Sequence, residues 1–230
     1  MRASVETASL ATEAYGIVRQ RITSGELVLG QAVSRRRLAA ELGMSFLPVT
    51  EALLRLEFEG LLESRPRAGT RVRIPSPQDV EGNYIVRQAL ETQAAILFSQ
   101  VAAAAERSEL RRLAARVDAL SSKSDRSMYV ALHLKLHQRI AEGARCEALT
   151  EAIERTHAMA TIWFCVMRKP SPDDSPRRHQ ELVAQILSGD EMRIATAVRA
   201  HLAVGKQHTL EVLEPYFKTT SQRFSRSRPS

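Results

Sequence analysis

The chain has 230 residues, 44% hydrophobic and 26% charged, with 33 Lys and Arg against 26 Asp and Glu for a formal charge of +7. That length buries a sizeable core without staples, and two cysteines, Cys146 and Cys165, exclude a disulfide framework or a cysteine-rich zinc site. The longest apolar run, around Ala94 to Ala105, is broken by Ser99 and Gln100 and is too short for a bilayer. The N-terminus has no apolar signal segment, and Glu6 and Glu13 intrude, so a cytoplasmic protein with no membrane partner is expected. The charge is uneven. Residues 1–74 hold 11 Arg and 8 Glu, net +3; residues 75–214 balance 18 basic with 18 acidic groups; residues 215–230 hold four basic groups and no acid, net +4. A neutral middle with basic ends points to nucleic acid at the ends only.

In chain order, residues 1–12 are expected to be disordered. Ala14 to Ser24 carries Ile17, Val18 and Ile22 at helical spacing, and Gly25 and Gly30 bracket a turn. Arg35 to Leu42 is a short helix stopped by Gly43. Ser45 is placed to cap the next helix, with Pro48 in its first turn; that helix runs to about Gly60. Val49, Leu53 and Leu56 face inward, with Phe58 as a further candidate. Pro66-Arg67-Ala68-Gly69 supplies a turn before Thr70-Arg71-Val72-Arg73-Ile74, which alternates with period two. Helix, turn, helix and basic hairpin over 13–74 make a winged helix-turn-helix. Residues 75–78 form a linker and helix start, with Ser76 as N-cap, Pro77 at N1 and Asp79 in the first turn. From 78 to 214 the pattern is helical, with six helices near 77–104, 106–121, 126–143, 146–168, 175–188 and 190–214. Breaks fall at Ser121 to Ser124, Gly143, Lys169 to Pro172 and Gly189-Asp190. The fold class is therefore mainly α: an N-terminal winged helix plus an all-α antiparallel bundle of about six helices, and a basic disordered tail over 215–230.

A recognition helix puts its N-terminal side chains against base edges, here Ser45, Phe46, Leu47 and Thr50. Arg35, Arg36 and Arg37 suit phosphate contacts, and the tip formed by Arg67, Gly69, Thr70 and Arg71 suits the minor groove. A solvated helix face is the competing reading of the three consecutive arginines. Residues Tyr15 to Val72 resemble the winged-helix domain of GntR-type transcriptional regulators. The resemblance rests on Gly25-Glu26-Leu27, Leu38-Ala39-Ala40-Glu41-Leu42-Gly43-Met44-Ser45, Pro48-Val49, Glu51-Ala52-Leu53, Arg55-Leu56-Glu57, Glu59-Gly60-Leu61 and Gly69-Thr70. It implies a homodimer on a double-stranded DNA operator, with Arg36 carrying over as a contact. Phe46 and Thr50 stand where that family usually has arginines that contact guanine and phosphate. Phe46 suits a thymine methyl, and Thr50 offers one hydrogen bond and a methyl, so an A·T-richer half-site is expected.

All six histidines lie in the neutral part. His133 and His137, four apart, share a helix face with Val130 and Ile140; His179 heads the stripe Leu182, Val183, Ile186; His201 follows Ile194 and Val198. Four inward histidines on three helices can hold zinc or nickel, or serve as satisfied core residues. Leu134 follows His133 where a zinc hydrolase has Glu, so no general base is offered. Arg87 continues a stripe through Leu90, Ala94, Leu97 and Val101, and needs Glu91, another acid or a carboxylate ligand as its partner.

Residues 78–213 resemble the helical effector domain of the FadR branch of those regulators, closest to the VanR subgroup. The matching stretches are Val86 to Glu91, His133 to Ile140 with Glu142, and Arg178-His179-Gln180-Glu181 through Gly189-Asp190 to His201-Leu202. The resemblance implies a divalent metal held by His137, His179 and His201, with His133 in the place of the usual Asp. It also puts Arg87 at the border of the effector pocket, with His157 and Trp163 as further lining. The expected protein is a ligand-responsive repressor, not an enzyme, that binds a small carboxylate through metal and Arg87. The alternatives are a four-His metalloenzyme and a DNA-binding protein with an inactive pocket.

Overall fold

The computed structural model describes residues 2–121, 126–166 and 175–225. It divides into two compact units, Met1–Pro75 together with Thr219–Ser230, and Ser76–Lys218. In the first unit α1 (Arg2–Thr23) is followed by β1 (Ala32–Val33), α2 (Arg35–Leu42), α3 (Phe46–Phe58), β2 (Leu62–Arg65) and β3 (Gly69–Val72). Helix α1 starts at Arg2, so residues 2–12 are helical where disorder is expected. The cause is legible afterwards: Ala3, Ala8, Ala11 and Ala14 are strong helix formers.

Helix α2 is capped by the Ser34 hydroxyl, which accepts from the Arg37 N–H at 3.3 Å, and ends on Gly43 at φ 63°. That left-handed residue turns the chain into α3 without a Cβ penalty. Ser45 occupies the N-cap of α3, but its side chain makes no capping hydrogen bond. Ala14, Val18 and Ile22 of α1 are buried, as are Val49, Ala52, Leu53 and Leu56 of α3. Phe58, offered above as an inward residue, is 93% exposed. The buried positions 49, 52, 53 and 56 define the inner face, and 58 lies off that stripe. The sheet has the order β1-β3-β2, all antiparallel, with Leu62 opposite Val72 and Ser64 opposite Thr70. Strand β1, only Ala32-Val33, falls between the expected turn and α2 and is too short to show alternation.

The second unit contains α4 (Pro77–Val101), α5 (Ala104–Ser121), α6 (Arg126–Gly143), α7 (Glu147–Val166), α8 (Arg178–Ile186) and α9 (Glu191–Ser225) as far as Lys218. A capping box starts α4: the Ser76 hydroxyl accepts from the Asp79 N–H, and the Asp79 carboxylate accepts from the Ser76 N–H at 2.8 Å. The core draws on every helix, with Phe98, Leu110, Leu136, Ile153, Ile186 and Ile194 almost wholly buried. The inner stripe of α4 is Val80, Asn83, Tyr84, Arg87, Glu91, Ala94, Ala95 and Phe98. Val101, assigned above to the Arg87 stripe, is 50% exposed. Apolar spacing alone traced the wrong line, because three polar residues occupy the true one. Helix α9 continues to Ser225, past Pro215, so residues 215–225 are helical where a disordered tail is expected. Buried Leu213 and the Glu214–Lys218 pair at i,i+4 carry the helical period through that stretch. The expected breaks at 122–124 and 169–172 lie outside the described residues.

Two glycines in this unit should respond oppositely to alanine. Gly82 lies inside α4 with nothing near a prospective Cβ, whereas a Cβ on Gly143 would overlap the Phe98 ring. Gly82→Ala should raise stability by about 0.5–1 kcal/mol and Gly143→Ala lower it by about 1–3 kcal/mol. Thermal melting followed by circular dichroism measures both.

Candidate functional site

Two surfaces carry chemistry, one in each unit. In the first, Phe46 and Leu47 at the start of α3 are more than half exposed. Ser45 beside them is also exposed, its hydroxyl unused by a cap. The Thr50 hydroxyl donates to the Phe46 carbonyl at 2.8 Å, so toward a base it offers an acceptor and a methyl rather than a donor. On α2, Arg36 is exposed, Arg35 half-buried, and Arg37 lies 3.6 Å from Glu41. In the β2–β3 tip Arg67 is exposed with φ 64° and Gly69 has φ 74°. Two expected tip contacts point elsewhere. Thr70 is buried, its hydroxyl 2.9 Å from that of Ser64, and the Arg71 guanidinium is paired across the sheet with Glu63. Strand alternation explains this: Thr70 faces the core, and Arg71 meets its antiparallel neighbour Glu63.

In the second unit, α4, α5, α6, α7, α8 and α9 bring their polar side chains to one buried network. His133 and His137 come from α6, His157 from α7, His179 from α8 and His201 from α9; all five are buried. Glu91 is the hub. Its carboxylate accepts from Arg87 Nε at 2.7 Å and from His137 Nδ1 at 2.8 Å, with His157 Nε2 at 3.0 Å. Asp118 of α5 is a second anchor. It accepts from His179 Nδ1 at 2.6 Å, from the His179 N–H at 3.1 Å, and from the Gln180 N–H at 3.0 Å. Arg178 donates from Nε to His201 Nδ1 at 3.2 Å and from Nη2 to the His201 carbonyl at 2.8 Å.

The four expected metal histidines are neighbours. His133 Nδ1 lies 3.0 Å from His179 Nε2, and His201 Nε2 lies 3.3 Å from His137 Nε2. Donor atoms of His133, His137 and His201 all fall within 4.8 Å of one another; Glu91, His137 and His157 form a second such group. His179 is outside the first group and touches it through His133. These spacings fit a cation: nitrogens about 2.0–2.1 Å from zinc stand about 3.0 Å apart at a right angle and about 3.4 Å at the tetrahedral angle. The carboxylates on His137 Nδ1 and His179 Nδ1 leave Nε2 as the lone-pair atom of each ring, the usual orientation of a metal-bound histidine.

Electrostatics suit the same reading. Burial raises the Glu91 carboxyl, but Arg87, His137 and His157 outweigh it and hold it well below the usual carboxylate range. Burial, then neighbouring histidines and Arg178, push His133 well down; burial and Arg178 do the same to His201. Burial also lowers His137 and His179 despite Glu91 and Asp118. The rings are neutral at pH 7, as ligation requires. Arg87 pairs with Glu91 through Nε, yet its Nη1 is buried without a hydrogen-bond partner, as is Asn83 Oδ1 one turn earlier on α4. Trp163 of α7 is buried. A cavity of about 10 Å³ borders Glu91, His137 and His201 and is otherwise apolar, lined by Ile140, Leu182 and Val198. Asp118, Arg178 and Asn83 were missed. Asp118 follows Leu110, Ala114 and Val117 on a buried face, a visible anomaly, and Arg178 directly precedes His179.

A winged-helix head on a helical sensing domain defines a one-component DNA-binding transcription regulator. Residues 10–72 match the bacterial regulatory proteins of the gntR family and residues 84–204 match the FCD domain, so the chain belongs to the GntR family of regulators, with an FCD effector domain. It is 28% identical over 197 residues to the "Probable D-xylose utilization operon transcriptional repressor" of Paenarthrobacter nicotinovorans, covering 85% of this chain and 86% of that one. It is 22% identical over 190 residues to the repressor RspR of Escherichia coli K12, covering 82% and 83%. Among solved structures, a GntR regulator of Rhodococcus sp. RHA1 shares the fold with a TM-score of 0.74 at 22% identity, covering 88% of this chain and 98% of that one. E. coli McbR/YncC aligns with a TM-score of 0.68 at 20% identity, over 90% and 98%. The family and these relatives are transcription regulators, which removes the metalloenzyme alternative. Among the described residues no helix is long and apolar enough to cross a membrane.

The depressed histidines fix a pH dependence for the metal-stripped protein. Each binds its proton less readily when folded than at the ordinary value of 6.5. Unfolded chains therefore take up more protons below pH 6.5, and stability is full above that point and lost as pH falls below it. The slope is about 1.4 kcal/mol per pH unit for each histidine involved. Melting temperature should fall between pH 6.5 and 5, before ordinary carboxylates titrate; a flat profile there contradicts the assignment.

Proposed function

We propose that this regulator is a homodimeric repressor whose helical domain binds a small organic acid through a divalent metal, zinc or nickel, and Arg87. The observation that carries the acid is the Arg87 guanidinium: buried, charged, and left with its Nη1 amino group unsatisfied after Glu91 has taken Nε. A buried donor of that kind costs about 1–3 kcal/mol unless an acceptor meets it, and a carboxylate does so best. His133, His137, His179 and His201 would hold the metal, which supplies a Lewis-acidic anchor for the carboxylate when bound. The network adds two carboxylates, Glu91 and Asp118, and two guanidiniums, Arg87 and Arg178, which cancel, so the ion's own +2 remains available to an anion. His157 holds Glu91 in place from α7. The cavity beside the cluster is at the lower limit for one water, so the acid binds a more open arrangement than this one. That difference in preference is what linkage to operator affinity requires. The repressor sense follows the names of the relatives.

On DNA, two heads of a dimer suit an approximately palindromic operator. Ser45, Phe46, Leu47 and Thr50 would face bases; Arg35, Arg36 and Arg37 would hold phosphates; Arg67 and the Gly69 backbone would enter the minor groove. With Phe46 apolar and the Thr50 donor engaged in its own helix, the half-site is richer in A·T than the family norm. In-vitro selection of binding sites should return such sites; a guanine-anchored palindrome contradicts the assignment.

The deciding experiment for the effector is thermal melting against a carboxylate panel, with and without metal, followed by operator binding with each hit. Metal analysis should find stoichiometric ion in the native protein and its loss in the His137→Ala/His179→Ala double variant. Equal sub-stoichiometric metal in both, with no ligand-induced shift, would instead identify a DNA-binding protein with an inactive pocket.

A further inference from the structure

Hydrogen-bond direction assigns a role to Arg178. A guanidinium has only donors, so His201 Nδ1, 3.2 Å from Arg178 Nε, must present its lone pair. A neutral imidazole with a bare Nδ1 carries its proton on Nε2. Across the 3.3 Å contact, His137 already gives its Nδ1 proton to Glu91, so its Nε2 is the acceptor and His201 Nε2–H the donor. The atom of His201 that faces the cluster is therefore blocked by a proton, whereas Nε2 of His137 carries a lone pair. The Arg178 contact is built rather than incidental. Its Nη2 is anchored on the His201 carbonyl at 2.8 Å.

We propose that Arg178 holds His201 in the tautomer that cannot ligate, so that metal uptake requires Arg178 to leave His201 and the ring proton to move from Nε2 to Nδ1. This rests on the metal reading above. No proton is gained or lost by the ring; it is exchanged between the two nitrogens through solvent. Arg178 is a positioning residue, not a ligand. It starts α8 and grips α9, so its release loosens the junction of two helices that supply His179 and His201. By reciprocity, an anion that draws the guanidinium away favours metal binding, and metal favours that anion.

Two-bond ¹H–¹⁵N spectra of the histidine side chains in the metal-stripped full chain read the tautomer directly. His201 should carry its proton on Nε2, and on zinc addition should show a ligated Nε2 with the proton on Nδ1. A His201 proton on Nδ1 before zinc overturns the proposal. Arg178→Met should unlock the metal-free tautomer and tighten zinc binding roughly tenfold in chelator competition. Arg177→Met removes the same charge from the exposed neighbouring position and should change neither quantity. Zinc affinity unchanged or weakened in Arg178→Met, with the circular dichroism of the native protein, also overturns it; should that variant fail to fold, the wild-type spectra decide alone. If native protein binds no zinc, the metal reading fails while the tautomer measurement still tests the Arg178 contact.

Discussion

The helical unit depends on one buried carboxylate. Glu91 takes an arginine, a histidine from α6 and a histidine from α7 onto two oxygen atoms, away from solvent. An isolated charge there is prohibitively costly; with these partners it stays ionised and orders everything around it. It fixes the Arg87 side chain along α4 so that Nη1 is left over. It fixes the His137 ring so that Nε2, not Nδ1, faces His201. Asp118 does the same for His179 from α5, with two backbone N–H groups at the start of α8 as further donors. A helix N-terminus and a carboxylate are natural partners, so the ring is set by the same bond that docks the helix.

From these two carboxylates the orientations of the His137 and His179 rings follow. His137 and His179 each spend a proton on an acid and turn a lone pair inward. His201 is the exception, because a guanidinium rather than a carboxylate stands behind it. Two of the proposed metal histidines, His137 and His179, are thus prepared for a cation and His201 is not. Four ready lone pairs would hold an ion whether or not an effector was present. One ring backed by a movable cation makes occupancy conditional, which is the property a sensor needs.

The periods of the sequence made the helices legible, because α3 buries Val49, Leu53 and Leu56 and α8 buries Leu182, Val183 and Ile186, as their spacing indicates. The breaks were legible where glycine or a capping box makes them, as at Gly43 and Ser76. What escaped has a physical reason in each case. The Arg87 stripe on α4 was drawn through Leu97 and Val101, since a buried line of Asn83, Arg87 and Glu91 does not look like a core. Alternation in the hairpin is legible, but alternation alone does not say which face meets the core, so Thr70, expected at the DNA, is buried instead. Clustered histidines were legible as a set, whereas Asp118 and Arg178, which decide what each ring presents, are contacts between residues distant in sequence.

The two surfaces also share a chemical logic. Near the start of α3 a hydroxyl is turned back on its own helix, and two large apolar side chains are left exposed, so the head offers shape and methyl contact more than charge. On the proposed DNA contacts, affinity from the head would come from the arginines of α2 and the tip, a term that depends on phosphates and salt but not on sequence. In the proposed homodimer, small changes in how two such heads are spaced would cost much of the binding, because few strong base contacts compensate for lost register.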